Sequence, residues 1–215
     1  MTNFIPIFPL AIVVYPGENL NLHIFEPRYK QLISECHTGN KAFGIPAVIR
    51  NKVAEMGTLV KVDEVVKTYD KGEMDIRVTG LQVFRILEPI SQIPDKLYSG
   101  AIVTYPEQDE KGNHELMQKV LRGMKELHRM LSITKSFPKA EEELNSYDLA
   151  HHAGLSLEEE YELLELPLEL QRQEYLRRHL RKVLPVVAEM ESLREKIKLN
   201  GHFRNISGFD FGTGK

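Results

Sequence analysis

The spacing of apolar positions changes part-way along the chain. Leu20, Leu22 and Ile24 alternate with Asn21 and His23, the two-residue period of a half-buried strand. Met74, Ile76 and Val78 alternate in the same way, and residues 58–69 are rich in Val and Thr. Between these two runs, Asp70-Lys71-Gly72-Glu73 predicts a hairpin turn in which Gly72 can take positive φ. Residues 4–8 and 12–15 are short apolar runs separated by Pro9 and closed by a Pro16-Gly17 turn. Residues 41–50 form a further strand, which Pro46 places at an edge or a bulge. Residues 83–87 and 101–105 complete a set of short strands whose even spacing predicts a barrel or sandwich.

One helix interrupts this β region. Tyr29, Leu32, Ile33 and Cys36 occupy one helical face. Pro27 fits the first turn, Glu26 sits near the positive end of the helix dipole, and Thr38-Gly39-Asn40 ends the element. The stretch Phe25-Glu26-Pro27-Arg28-Tyr29 therefore reads as a strand-to-helix corner. Arg28, a charge among apolar neighbours, is expected to form a structural salt link with Glu26 or with an acid of the helical half. The alternative role is to hold a peptide carboxylate in a cleft between the two parts.

Beyond Pro106 the period becomes helical. Residues 107–114 read as a polar linker, after which Leu116, Val120, Met124, Leu127 and Leu131 recur at steps of three or four. Residues 146–153 predict a short helix ending near Gly154. Ser156 with Glu159 forms a capping-box pattern ahead of Tyr161, Leu163 and Leu164. A long helix follows Pro167, carries Leu170, Leu176, Leu180, Val183 and Leu184, and is kinked or restarted at Pro185. Met190, Leu193 and Ile197 continue its stripe. The expected organisation is a β-rich part over residues 1–106, a helical part over 114–200, and a flexible tail over 201–215.

Charge in the helical half is segregated. Residues 141–170 hold ten carboxylates and no Lys or Arg, whereas residues 171–204 hold nine Lys or Arg against four Glu. Neighbouring helices are expected to attract each other through these faces. The alternative is a basic partner surface centred on Arg172, Arg177, Arg178, Arg181 and Lys182.

Composition narrows the chemistry. The chain has 215 residues, 42% hydrophobic and 27% charged, within the ordinary range for globular proteins. No stretch reaches the roughly 20 apolar residues of a membrane span, and the start lacks a secretory pattern, so a soluble, cytoplasmic protein is expected. The net charge of −3 argues against broad nucleic-acid binding. Cys36 is the sole cysteine and reads as a buried hydrophobe. There is no phosphate-binding Gly-rich loop, no dinucleotide fingerprint, no zinc-protease motif and no nucleophile elbow. His151 and His152 point about 100° apart on a helix and do not share a ligand face. Glu158-Glu159-Glu160 reads as a helix start. No catalytic residue, metal site or cofactor is expected.

Several blocks carry a resemblance. Phe8-Pro9-Leu10, Val14-Tyr15-Pro16-Gly17, Leu20 to Leu22 and Ile24-Phe25-Glu26-Pro27-Arg28-Tyr29 resemble the signature of the LON domain, the amino-terminal substrate-binding domain of the ATP-dependent Lon protease, found also in cereblon. Gly57-Thr58-Leu59-Val60, Asp70-Lys71-Gly72, Gly80-Leu81-Gln82 and Phe84-Arg85-Ile86 follow in order, and the helical part has Leu155-Ser156-Leu157-Glu158-Glu159 and Glu162-Leu163-Leu164-Glu165. Where the family often has an Arg two residues before Arg85, this chain has Val83, so no role of that Arg is carried over. The chain stops before any ATPase or protease module, which reads as a free-standing LON-domain protein.

The resemblance implies an α+β fold, with an N-terminal PUA-like β pseudo-barrel followed by a C-terminal α-helical bundle. It also implies non-catalytic binding of unfolded or tagged polypeptides, with a protease or chaperone as a further partner. Such binding needs an apolar surface or an open strand edge. Tyr15, Phe25, Tyr29 and Phe84, with Arg28, are the candidate polypeptide-binding residues. An RNA-binding role for the PUA-like barrel is the alternative, and it would require a basic, salt-sensitive surface.

Overall fold

The computed structural model describes residues 3–134, 137 and 139–203, with side chains through 199. The elements run β1 (Asn3–Pro6), β2 (Asn19–Ile24), α1 (Pro27–Thr38), β3 (Phe43–Ile49), β4 (Lys52–Thr68), β5 (Met74–Ile90), β6 (Gly100–Thr104), α2 (His114–Met130), α3 (Ser146–Ala150), α4 (Leu157–Glu165) and α5 (Glu169–Phe203). The fold is α+β. None of the described helices is long and apolar enough to cross a membrane.

The sheet order is β1-β6-β5-β4-β3, all antiparallel, and β2 pairs with the first part of β5. The two ends of the sheet are joined by the chain that leaves β1. Phe8 N–H donates to Gly44 O at 2.8 Å, and Val48 N–H donates to Leu10 O at 2.7 Å. Residues 7–10 thus run parallel to β3 and close the sheet into a barrel, which is one way to remove exposed edges. Pro9 lacks an N–H and sits in this irregular stretch rather than inside a regular ladder. β4 and β5 are single long strands joined by the predicted turn, where Gly72 has φ +72°. Residues 83–87, read as a separate strand, are the far half of β5. Three register shifts bend the β4–β5 ribbon around the barrel. A further shift falls at Pro46 in β3.

α1 has Pro27 in its first turn and buries Leu32, Ile33 and Cys36 against Ile24, Val60, Ile76 and Val78. Burial pushes the Cys36 thiol up to about 11, so it stays protonated and inert. A second apolar cluster joins the two halves. It combines Val13, Tyr15, Ala47, Met56 and Val83 with Val120, Met124, Leu149, Leu163, Leu164, Leu176 and Leu180.

α4 begins with the expected reciprocal cap: Glu159 N–H donates to Ser156 Oγ at 3.2 Å and Ser156 N–H to Glu159 Oε2 at 2.8 Å. α5 continues through Pro185 as one helix to Phe203, three residues beyond the expected boundary. The rest of the segment expected to be a flexible tail lies outside the described residues. Past Pro185, Val187 still packs on the core, while Val186, Met190, Leu193 and Ile197 are exposed.

The expected attraction between acidic and basic helices is corrected in its main part. Arg177 and Arg178 each pair with Glu174 on their own helix at 2.7 Å, because neighbours three or four residues apart are closer than the next helix. These guanidiniums, Arg177 first, hold the Glu174 carboxyl down to about 2. Arg172, placed at the centre of a basic surface, is only 2% exposed. Cross-helix contacts remain at Tyr175, whose hydroxyl donates to Glu162 at 2.7 Å, and at His179, which lies 3.4 Å from Glu159.

Candidate polypeptide-binding surface

The sequence-derived candidates divide into two places. Tyr15 is 1% exposed and lies in the seam between barrel and bundle. Its ring stacks on Tyr147 at 5.0 Å, and its hydroxyl donates to Glu160 O at 2.9 Å. Burial is the main reason its hydroxyl pKa rises well above the usual phenol range. Phe84 is fully buried inside the barrel among Ile5, Ile7, Leu59 and Val103. Neither ring presents surface to a docking chain in this structure.

Phe25, Arg28 and Tyr29 lie together at the corner between β2 and α1. Phe25 is 60% exposed, with its ring beside His23 at 6.1 Å. Tyr29 is half-buried, stacked on Phe8 at 3.9 Å. Arg28 is exposed, pairs with Glu26 at 2.7 Å and lies 5.2 Å from the Tyr29 ring centre. Of the two salt links expected for Arg28, the local one forms. Among the described residues β2 pairs with β5 alone, so its other edge carries no strand. The corner therefore joins an open edge to an exposed aromatic ring.

The seam is held by polar groups that cross it. His151 lies 2.7 Å from Glu160 and 3.1 Å from Glu18. Burial opposes its charge, but the hydrogen bonds to Glu160 and Glu18 outweigh it and raise its pKa to about 9. Met56 N–H donates across it to Tyr161 Oη at 3.0 Å, and within the barrel Tyr15 N–H donates to Glu18 Oε2 at 2.9 Å. Val83 fills apolar space in the same seam.

Sequence reasoning missed the buried ion pair at the start of α5. Glu169 accepts from Arg172 Nε at 3.0 Å, from Ser146 N–H at 2.9 Å and from Ser146 Oγ at 2.8 Å. Arg172 also donates to Leu166 O at 2.8 Å and to Gln108 Oε1 at 3.0 Å, and it lies over the Tyr147 ring at 4.4 Å. Ser146 is fully buried and faces a carboxylate already held by Arg172, so the contact is structural. The i, i+3 spacing of Glu169 and Arg172 was a visible signal for the pair, but nothing in it marked burial.

Of residues 107–114, expected to be a linker, His114 begins α2 and the rest are strapped onto this corner. Asp109 N–H donates to Pro167 O at 2.9 Å and Glu169 N–H to Asp109 O at 2.8 Å. Between the strap, β5 and helices α2, α3 and α5 lies a cleft of about 1090 Å³. Among the described residues no group of three His, Cys, Asp or Glu side chains is placed to hold a metal ion.

In comparisons with known proteins, the fold is similar to a crystal structure of the Lon N-terminal domain protein from Xanthomonas campestris. The TM-score is 0.62 and the identity 24%, over 81% of this chain and 96% of that one. It is also similar to the N-terminal domain of Mycobacterium avium complex Lon protease, with a TM-score of 0.61 and 16% identity over 83% and 98% of the two chains. Residues 5–182 match the family model of the ATP-dependent protease La (LON) substrate-binding domain, and the chain therefore belongs to that family.

Proposed function

We propose that this protein is a polypeptide-binding module that breaks no bonds itself and delivers or holds unfolded or tagged chains for a protease or chaperone. The observation that carries this reading is the open edge of β2, which ends on the exposed Phe25. An unpaired strand edge offers a row of backbone donors and acceptors to any extended segment, and an adjacent apolar side chain adds selectivity. Phe25 and Tyr29 supply the apolar contact, and Arg28 supplies a donor for a carbonyl or carboxylate of the bound chain. Tyr15 and Phe84 act at one remove, by fixing the seam and the barrel that present this corner.

The test is binding of denatured casein and of a labelled, uncharged apolar peptide. The peptide is expected to shift the backbone amide NMR signals of Asn19–Ile24, and Phe25→Ser to weaken it about five- to tenfold, the effect of removing one well-placed aromatic contact. Denatured casein that is not retained at all, or peptide binding that leaves those amides unmoved, rules the reading out.

A further inference from the structure

The second half of α5 carries an apolar stripe of its own. Val186, Met190, Leu193 and Ile197 are each more than half exposed, and after Val187 no described apolar side chain of α5 packs on any of the core clusters. At about 100° per residue, these four fall within an arc of about 60°. The face that packs on the body, Leu176, Leu180, Val183 and Val187, is turned from that arc by about 80°. The stripe is therefore a separate surface and not the exposed end of the same packing. Its steps of four, three and four are those of a heptad. So narrow a band matches a single facing helix, whereas a helix lying on a globular body uses an arc of roughly 100° or more.

The charges beside the stripe narrow the partner further. Residues 186–199 hold Glu189, Glu191 and Glu195 against Arg194, Lys196 and Lys198, so the segment carries no net charge, unlike the basic helices that lie on anionic membranes. Glu189 and Lys196 lie on the same side of the stripe, and neither forms an ion pair among the described residues. Read backwards, the stripe matches itself. In a second copy running antiparallel about a two-fold axis between Glu191 and Ser192, Val186 faces the partner's Ile197, Met190 faces the partner's Leu193, and Glu189 comes beside the partner's Lys196. Every apolar position then meets an apolar one, and symmetry repeats each contact. A parallel pair would direct Glu189 at the partner's Arg194, a residue that already holds Glu191 on its own helix at 3.3 Å.

We infer that this protein pairs with a second copy of itself by antiparallel docking of the α5 stripe, residues 186–197. A helix without tertiary packing is marginal in water, and the partner helix supplies that packing. The contact is small, with four apolar side chains from each helix against the 20–30 residues a side, roughly, of a stable interface. The dimer is therefore weak and reversible, with a dissociation constant expected on the order of tens of micromolar. The β2 corner takes no part in it, and the inference stands whether or not β2 receives a strand.

The experiment is sedimentation of the full chain over a concentration series. A reversible monomer–dimer equilibrium is expected, and a chain that stays monomeric up to about 1 mM overturns the inference. Leu193→Glu puts a carboxylate into both central layers. It is expected to weaken the dimer about a hundredfold or more and, because Leu193 is exposed, to leave thermal unfolding of the dilute monomer unchanged. A dimer that survives Leu193→Glu forms elsewhere and overturns the assignment. Leu199 is also exposed but lies across the helix from the stripe, so Leu199→Glu is expected to dimerise like the parent. Equal loss in Leu199→Glu means general stickiness and overturns the assignment too. Glu189→Lys alone is expected to weaken the dimer about fivefold, and the double variant E189K/K196E to restore it. Restoration by E189K/R194E instead identifies a parallel pair and overturns the antiparallel arrangement. A monomeric chain whose binding to phosphatidylserine-containing vesicles, or to denatured casein, is abolished by Leu193→Glu overturns the inference in favour of a lipid or client face. Phe25→Ser is expected to leave the dimer unaffected, and a loss there overturns the separation from the β2 corner.

Discussion

Two proline corners of the N-terminal stretch, Val14-Tyr15-Pro16-Gly17 and Phe25-Glu26-Pro27-Arg28-Tyr29, end in opposite environments. Both combine an aromatic, a proline and a nearby charge. The first is enclosed: Val14 O accepts from the buried Thr58 hydroxyl, Gly17 N–H donates to Gly80 O at 2.9 Å, and Tyr15 reaches Glu160 across the seam. The second is open, with Phe25 exposed and Arg28 satisfied within its own corner by Glu26. The difference lies in what the rest of the chain brings to each. Glu160, Tyr147 and His151 arrive at the first corner from more than 130 positions away. Among the described residues no strand arrives at the outer edge of β2. One corner is enclosed by distant residues, and the other stays exposed.

A matched pair of glycines gives the largest test of that contrast. At Gly80 a Cβ would drive into the Tyr15 carbonyl oxygen, a backbone atom held by the turn it belongs to. Gly80→Ala is expected to lose about 3 kcal/mol, as overpacking against backbone does. Gly72 in the β4–β5 turn has φ +72° but an added Cβ would meet only the Lys30 side chain at 4.0 Å. Gly72→Ala is expected to lose about 1 kcal/mol, from the left-handed backbone alone. Urea unfolding midpoints measure both. Equal losses would mean that the first corner is not locked against β5 as described.

The same contrast explains what was legible in the sequence. β2, α1, the Gly72 turn and the α4 capping box were readable because each depends on residues within about ten positions of one another. The inward turn of Tyr15 and Phe84 was not, since an aromatic in a short apolar run packs inward or outward according to what the distant chain places over it. Arg172 failed for a related reason. An Arg three residues from a Glu looks like an ordinary surface pair, and only Gln108, Leu166 and Tyr147, gathered by the strap, show it to be buried. Among the candidate binding residues, the two exposed ones, Phe25 and Arg28, have local neighbours in His23 and Glu26, whereas the half-buried Tyr29 stacks on the more distant Phe8.

The next effect concerns pH and acts on the enclosed corner alone. His151 bridges Glu18 of the barrel and Glu160 of the bundle, and its folded pKa is raised from an ordinary 6.5 to about 9. A raised pKa means that the folded state holds the proton more tightly than the unfolded chain. The resulting stability is fully present below the ordinary value and is lost as pH rises through about 9. Because the ring is partly exposed, the contribution is up to about 2 kcal/mol. Unfolding midpoints at neutral pH and at pH about 10 are expected to differ more in the parent than in His151→Gln. If the variant keeps the parent's fall in stability, the bridge is not what links the halves through this pH window.

The smallest expected effect is at the open corner. Arg28 pairs with Glu26 at 2.7 Å and packs beside Tyr29, a geometry that in a buried site would matter. Here both partners face solvent, where water screens the attraction and ordering two long side chains opposes it. The Glu26 hydrogen bond raises the Arg28 pKa further, but a guanidinium is already charged at every relevant pH, so the shift changes no protonation state near neutrality. Arg28→Ala is therefore expected to change stability by no more than about 0.5 kcal/mol. If it instead unfolds the protein as readily as Gly80→Ala, the corner is a structural joint and its exposure does not make it a receiving surface. If stability holds while peptide binding at the β2 edge falls, Arg28 is retained for the partner rather than for the fold.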